Sequence, residues 1–338
     1  MKIAVVGAGY WGKNLIRNMY QLGALAAVCD VDGASLEKIK RTFPGIEAET
    51  DLSSVLDNQE IQAVVIATPA ATHYAVAKQC LSAGKHVLVE KPFALSLKEA
   101  DELISIACEK KLVLMVGMTF IYNAAVRKVK ELIRSGALGD IYYVYFERVN
   151  LGKVRTDVNV WWNLAPHDIS IALYWLDSEI DNLTARGACY LQKDIEDVAW
   201  ANIQFKNNTC VLIHTSWLHP HKTRKAIVVG SKKMVVYDEI SSDMKIQVYD
   251  KGIDKKDISK RLGEYENFGQ FQLIQRAGDI FIPKINFTEP LLEECSHFID
   301  CIKTNKCPRT DGVWSREIVK VLEAGQKSMK KNGKLVKL

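Results

Sequence analysis

No two of the eight cysteines stand in a C-x-x-C pair, and none clusters with histidine at ligand spacing. This argues against a zinc ribbon or a disulfide framework. Cys29, Cys80, Cys108, Cys189, Cys210, Cys295, Cys301 and Cys307 are therefore expected to be free thiols of a reducing compartment, and no metal site is expected. Apolar runs of membrane length are missing as well, and the N-terminal run Ile3 to Val6 is too short for a signal peptide or a spanning helix. Charge of one sign is also scarce. The formal net charge is +5, with bases interleaved among acids, so the chain makes no case for a nucleic-acid partner. There is no internal repeat and no low-complexity segment. The expectation is a cytoplasmic chain that meets small molecules.

At 338 residues the chain is long for one core, and two domains are expected. The first third alternates β-branched runs with helical patterns. Strands are predicted at Ile3–Val6, Ala24–Cys29, Ala63–Ala67, Val87–Val89 and Leu112–Val116, and helices over Trp11–Leu22, Ala34–Thr42, Ala71–Ala83 and Leu97–Glu109. Strands apolar on both faces point to a parallel sheet covered by helices on each side, a doubly wound α/β domain over residues 1–120. Beyond this the rhythm changes. Helices are predicted over Ala124–Ser135 and His167–Trp175, with the strand Ile141–Arg148 between them. Mostly strands follow from Asp181 to Tyr249, including a hairpin at Asn207-Asn208 and a pair Val228–Gly230 with Met234–Tyr237. Helices over Leu291–Lys303 and Ser315–Lys330 close an α+β domain, residues 121–338, built on a largely antiparallel open sheet. The stretch Gly252–Lys284 is the least regular, a candidate flap or subunit contact.

Gly7-x-Gly9-x-x-Gly12 follows a predicted strand and opens a predicted helix. Gly7 permits the tight turn, Gly9 lets backbone approach a pyrophosphate, and Gly12 allows close helix–strand packing. The helix N-terminus offers free N–H groups to the phosphates. Asp30 ends the next strand, about twenty residues on, where an acid binds the adenosine ribose hydroxyls and repels a 2′-phosphate. The pattern predicts an NAD site. Thr68 and Pro69, at the end of another strand, fall where the sheet's carboxyl edge would face the cofactor.

Two further motifs carry a family resemblance. Glu90-Lys91-Pro92 ends the strand His86–Val89, and Trp161-Trp162-Asn163-Leu164-Ala165-Pro166-His167-Asp168 opens a helix early in the second domain. With the opening glycines, and with Ala67-Thr68-Pro69…His73, Phe120-x-Tyr122-Asn123, Glu289-Pro290-Leu291 and Thr310-Asp311-Gly312, the chain resembles the Gfo/Idh/MocA family of glucose–fructose oxidoreductases and inositol dehydrogenases over essentially its whole length. The resemblance implies hydride transfer between a sugar or cyclitol carbinol and NAD. It gives Lys91 the role of hydrogen-bonding the reacting hydroxyl and His167 that of accepting its proton. It also assigns Tyr10, Trp11, His73, Glu90 and Lys91 to the cofactor site alongside the glycines. An ammonium suits developing alkoxide charge, and an imidazole suits proton transfer near neutral pH.

Asn163 stands where relatives carry aspartate, Ala165 where they carry glycine, Ser170 where they carry an acid, and Met118 where histidine is frequent. The A-P-H-D variant is similar to a subgroup that includes dehydrogenases of the 3-hydroxyl of UDP-N-acetylglucosamine or its uronic acid. Arg148, Lys153, Arg155, Asn159, Asn163 and Asp168 are the expected sugar and diphosphate contacts, with Asn150 and Asp157 on the same segment. Free sugars, inositols and a 3-keto-sugar reductase are the other enzyme readings, and a non-catalytic NAD sensor is a further one. The resemblance implies a homodimer or homotetramer. Trp161, Trp162 and Trp217 read as core or interface, and the basic run from His219 to Lys225 as a solvated hairpin loop.

Overall fold

A computed structural model describes residues 1–253 and 275–338. The chain divides into two compact units, Met1–Asn123 with Thr288–Glu323, and Ala124–Phe287 with Ala324–Leu338. The sequence reading placed one cut after residue 120 and gave both closing helices to the second domain. Instead the chain returns to the first unit at Thr288.

In the first unit, six strands form an all-parallel sheet: β1 (Lys2–Val6), β2 (Leu25–Cys29), β3 (Glu47–Glu49), β4 (Ile61–Ile66), β5 (His86–Glu90) and β6 (Leu114–Gly117). Their order is β3-β2-β1-β4-β5-β6, the doubly wound arrangement expected of a dinucleotide-binding fold. Val5, Val64, Val65, Val87 and Val89 are wholly buried, as strands covered on both faces must be. The intervening helices are α1 (Gly12–Gln21), α2 (Gly33–Thr42), α3 (Leu52–Asp57), α4 (His73–Ser82) and α5 (Leu97–Glu109). The strand order reverses between β1 and β4, so the turns after these two strands lie side by side at the sheet's carboxyl edge.

In the second unit, α6 (Ala124–Arg134) precedes β7 (Ile141–Val149) and α7 (Val160–Leu176). Strands β8 (Ile180–Ala188), β9 (Val198–Phe205), β10 (Cys210–Ser216), β11 (Thr223–Gly230), β12 (Met234–Asp238), β13 (Ile246–Ile253) and β14 (Gln275–Phe281) follow. The chain then forms α8 (Pro290–Thr304) and α9 (Gly312–Lys330) and ends in the short strand β15 (Val336–Lys337). The nine-stranded sheet has the order β14-β13-β12-β11-β7-β10-β9-β8-β15, antiparallel except where β7 meets β10. The Asn207-Asn208 hairpin and the β11–β12 pair form where predicted, with Asn208 at a left-handed φ of 66°. Most of Gly252–Lys284 lies outside the described residues.

Helix α7 starts well before the predicted His167. Asn159 caps it by accepting the Trp162 N–H at 3.0 Å, and Pro166 sits inside it. A proline is usually found in the first turn of a helix, where its missing N–H costs nothing. Here the apolar face outweighs the lost N–H: Val160, Trp161, Ala165, Ile169, Ala172 and Trp175 are all buried. Gly325 makes this packing possible, since a Cβ there would lie 2.6 Å from the Trp161 indole. Trp161 and Trp217 are core residues.

Candidate active site

The glycine turn is built as its sequence demands. Gly7 has φ of 101°, and a Cβ on it would stand 2.7 Å from the Ala67 carbonyl. A Cβ on Gly12 would sit 1.9 Å from the Gly7 oxygen, so only glycine lets α1 begin against β1. Gly9 faces open space, and Tyr10 beside it is 92% exposed. The first turn of α1 has no side-chain cap and no acid, which leaves its N–H groups for an anion. Asp30 accepts from Ala8 N–H at 2.5 Å and from Asp32 N–H at 2.9 Å, one oxygen each. Each oxygen keeps a lone pair for a ribose hydroxyl. These residues fit NAD: Gly9 and the start of α1 would take the pyrophosphate, and Asp30 would take the adenosine ribose.

Thr68 and Pro69 follow β4 beside the glycine turn, as expected. His73 stands behind them. It is buried, and its ring nitrogens lie 2.8 Å from the Pro92 carbonyl and 2.9 Å from the Thr68 carbonyl. This corrects its place as a cofactor contact: His73 ties the β4 turn to the Lys91-Pro92 turn, whose peptide bond is cis. Glu90 is buried as well. Its carboxylate accepts the Trp11 indole N–H from the glycine turn and the Lys91 backbone N–H at 3.3 Å. Burial raises the Glu90 pKa from 4.5 to about 7, against the lowering pull of the Trp11 hydrogen bond and of Lys91. Lys91 itself is half-buried at the carboxyl end of β5.

In the second unit, His167 is half-buried on α7, with Asn163 one turn earlier on the same face. Asn163 Oδ1 accepts the Trp217 indole N–H at 3.3 Å, and Ser170 donates to the His167 carbonyl at 2.7 Å. These contacts occupy the two positions where relatives carry acids.

Three expected substrate contacts lie elsewhere. Arg148 is 5% exposed and donates to Asp168 Oδ1 at 2.9 Å and to Glu239 Oε2 at 2.9 Å. Arg224 adds a second cation to Glu239 at 2.6 Å. Burial would lower the Arg148 pKa, and the carboxylates of Asp168 and Glu239 more than reverse it. Burial raises that of Asp168, with Arg148 drawing it back. Arg148 and Asp168 thus neutralise each other inside the unit. Asn159 is likewise buried, holding Glu196 at 2.5 Å and Gln326 at 2.6 Å in addition to capping α7. In the loop before α7, Lys153 is exposed, whereas Arg155 makes a two-point pair with Asp157 at 2.8 and 2.6 Å.

The residue that sequence reasoning passed over is Glu294. It lies on the apolar stripe Leu291, Glu294, Cys295, Phe298 of α8, all buried. An acid on the buried face of an amphipathic helix was the available signal. Its carboxyl accepts the Thr119 hydroxyl at 2.8 Å.

Comparison with known proteins agrees with this fold. Residues 1–118 match the Gfo/Idh/MocA oxidoreductase family model, described as an NAD-binding Rossmann fold, and residues 126–236 match the family's C-terminal domain. The chain belongs to the Gfo/Idh/MocA family and is an NAD-dependent oxidoreductase. It is 28% identical over 252 residues to UDP-N-acetylglucosamine 3-dehydrogenase of Acidithiobacillus ferrooxidans, covering 73% of this chain and 76% of that one. A crystal form of that enzyme superposes with a TM-score of 0.82 at 23% identity, over 98% of each chain. The myo-inositol 2-dehydrogenase of Thermotoga maritima is 23% identical over 342 residues, 97% of this chain and 96% of that one. The WlbA dehydrogenase of Bordetella pertussis, solved with NADH and UDP-GlcNAcA, superposes with a TM-score of 0.79 at 21% identity, over 100% of this chain and 98% of that one. Among the described residues, no helix is long and apolar enough to cross a membrane.

Proposed function

We propose that this enzyme oxidises a secondary hydroxyl of a nucleotide-linked sugar, at C3 of a UDP-N-acetylhexosamine or its uronic acid. The observation that carries the reading is the A-P-H-D helix, which presents His167 after a loop bearing Lys153 and Arg155. A basic loop suits a diphosphate, and Arg155 meets carboxylate-like oxygens in the two-point geometry it already shows with Asp157. The 28% identity to a UDP-N-acetylglucosamine 3-dehydrogenase supports the same substrate class.

In this mechanism the glycine turn, Asp30, Thr68 and Pro69 hold NAD, which when bound supplies the hydride acceptor. His167 takes the hydroxyl proton. Lys91 donates to the sugar oxygen as the alkoxide develops, and Asn163 holds a neighbouring hydroxyl. In the reverse direction Lys91 polarises the ketone and His167 returns the proton.

The test follows NADH absorbance with a panel of UDP-N-acetylglucosamine, its uronic acid, other nucleotide sugars, inositols and free hexoses. A keto-acid acceptor and a check for co-purified nucleotide accompany each assay. Oxidation confined to UDP-sugars is the expected result. Turnover of unphosphorylated rings alone would replace it with a polyol dehydrogenase, and no turnover anywhere with a nucleotide sensor.

We further propose a cytoplasmic homodimer or homotetramer formed through the open face of the second unit's sheet. Tyr143, Trp200 and Leu212 are exposed there, and His214 stacks on Trp200 at 5.5 Å. Charging this face with Trp200→Glu and Leu212→Glu should shift the species in sedimentation velocity to the monomer. A wild-type chain that sediments as a monomer at micromolar concentration would remove the proposal.

A further inference from the structure

Glu90 and Glu294 are two buried acids of one unit set against three consecutive residues. Glu90 pairs with Gly117 across β5 and β6, and its carboxylate lies 3.0 Å from where a Gly117 Cβ would be. Of the next two residues, Thr119 donates its hydroxyl to Glu294 at 2.8 Å, and Met118, whose N–H is taken by the Val116 carbonyl at 2.8 Å, lies beside it. All the donors that Glu294 meets leave its other oxygen aside. Oε1 is fully buried and has no hydrogen-bond partner among the described residues.

An ionised carboxylate with a buried bare oxygen beside a second carboxylate is costly in both respects: it is desolvated, and it faces a like charge. The surrounding charges do not relieve it. Just before α8, Glu289 is taken by Arg17 of α1, and on α8 Cys295 is a buried thiol whose pKa is raised by burial first and then by Glu294, Glu90 and Glu289. Just after β5, Lys91 acts on Glu90. The charged neighbour that acts on Glu294 is Glu90 itself.

We propose that Glu294 is a positioning residue held as the neutral carboxylic acid, so that of these two acids Glu90 alone is charged, behind Lys91 and the Trp11 of the nucleotide turn. Two anions here would repel each other and pull Glu90 off the Trp11 indole. With one proton on Glu294, Glu90 stays aimed at the glycine turn, and its own ionisation controls how firmly Trp11 is held. The direction of the pH effect follows. Burial raises the Glu90 pKa to about 7, and a carboxylate accepts more strongly than a carboxylic acid, so NAD binds more tightly above that pH than below it.

The test uses the full chain and NAD+ alone, so it does not depend on the sugar. Wild type should show the infrared C=O band of a buried carboxylic acid at pH 8, sensitive to deuterium exchange, that Glu294→Gln removes and Glu90→Gln retains. Calorimetric NAD+ affinity should rise about fivefold through a midpoint near 7. That step should vanish in Glu90→Gln and keep its midpoint in Glu294→Gln, whose amide mimics the acid. Absence of the band would overturn the assignment. So would a fall of about one pH unit or more in the Glu294→Gln midpoint, the sign of an anion having been removed. Should Glu294→Gln not fold, Thr119→Val serves: losing the hydroxyl that donates to Glu294 moves the band to higher frequency, and an unmoved band assigns it elsewhere.

Discussion

Lys91→Ala is expected to cut turnover by roughly 10²–10³, while calorimetric NAD affinity, measured well above the Glu90 transition that loss of the Lys91 charge would itself raise, changes less than about threefold. The ammonium's proposed partner is the sugar oxygen, whose charge grows only as hydride leaves. Its removal therefore acts on the chemical step more than on cofactor binding. The glycine turn and Asp30 are built from backbone and from contacts that do not include the Lys91 side chain. The Lys91-Pro92 turn keeps its anchor as well, because His73 holds the Pro92 carbonyl. Lys91→Arg should restore little, since the planar guanidinium cannot take the position of a compact ammonium. Unchanged turnover in Lys91→Ala would remove the lysine from the chemistry.

Asp168→Ala is expected to destabilise the second unit by roughly 3–5 kcal/mol in denaturant unfolding. The pair with Arg148 is almost wholly buried, with side chains 6% and 2% exposed. Removing the acid leaves a buried guanidinium that cannot lose its proton and must share Glu239 with Arg224. The double variant Asp168→Ala with Arg148→Met should recover most of the loss, because the stranded charge is then gone. A single variant within about 1 kcal/mol of wild type would mean that the pair is not structural, and would return Asp168 to the sugar site. The lost stability would also reach His167, which directly precedes Asp168 on α7.

Much of the first unit was legible because its signals are local. Five apolar strands, a glycine turn and a strand-ending acid lie within short windows, and each has a steric or electrostatic reason to be what it is. The short strand β3 and helix α3 were not read. Glu47–Glu49 has no buried residue and α3 buries only Val55, so neither shows a periodic apolar face. Helix α7 was read too short because Pro166 resembles a first-turn proline, while the true cap, Asn159, precedes two tryptophans that fit core or loop equally well. The closing helices were read correctly as helices, but not that α8 and most of α9 group with the first unit, since an amphipathic stripe says that a face is buried but not against what.

What the sequence by itself determined, then, is whatever a few neighbouring residues dictate: the nucleotide turn of Gly7, Gly9 and Gly12, the acid at Asp30, the Glu90-Lys91-Pro92 strand end, and with them an NAD-dependent oxidoreductase of this family. Tertiary structure alone decided which charged residues were taken up by one another. Arg148 meets Glu239 across 91 positions, and Thr119 meets Glu294 across 175. The physical reason is that a charged side chain is ambiguous until its surroundings are known. In water it is a ready ligand for substrate, whereas out of water it must be paired or neutralised, and the partner that does so comes from another part of the chain.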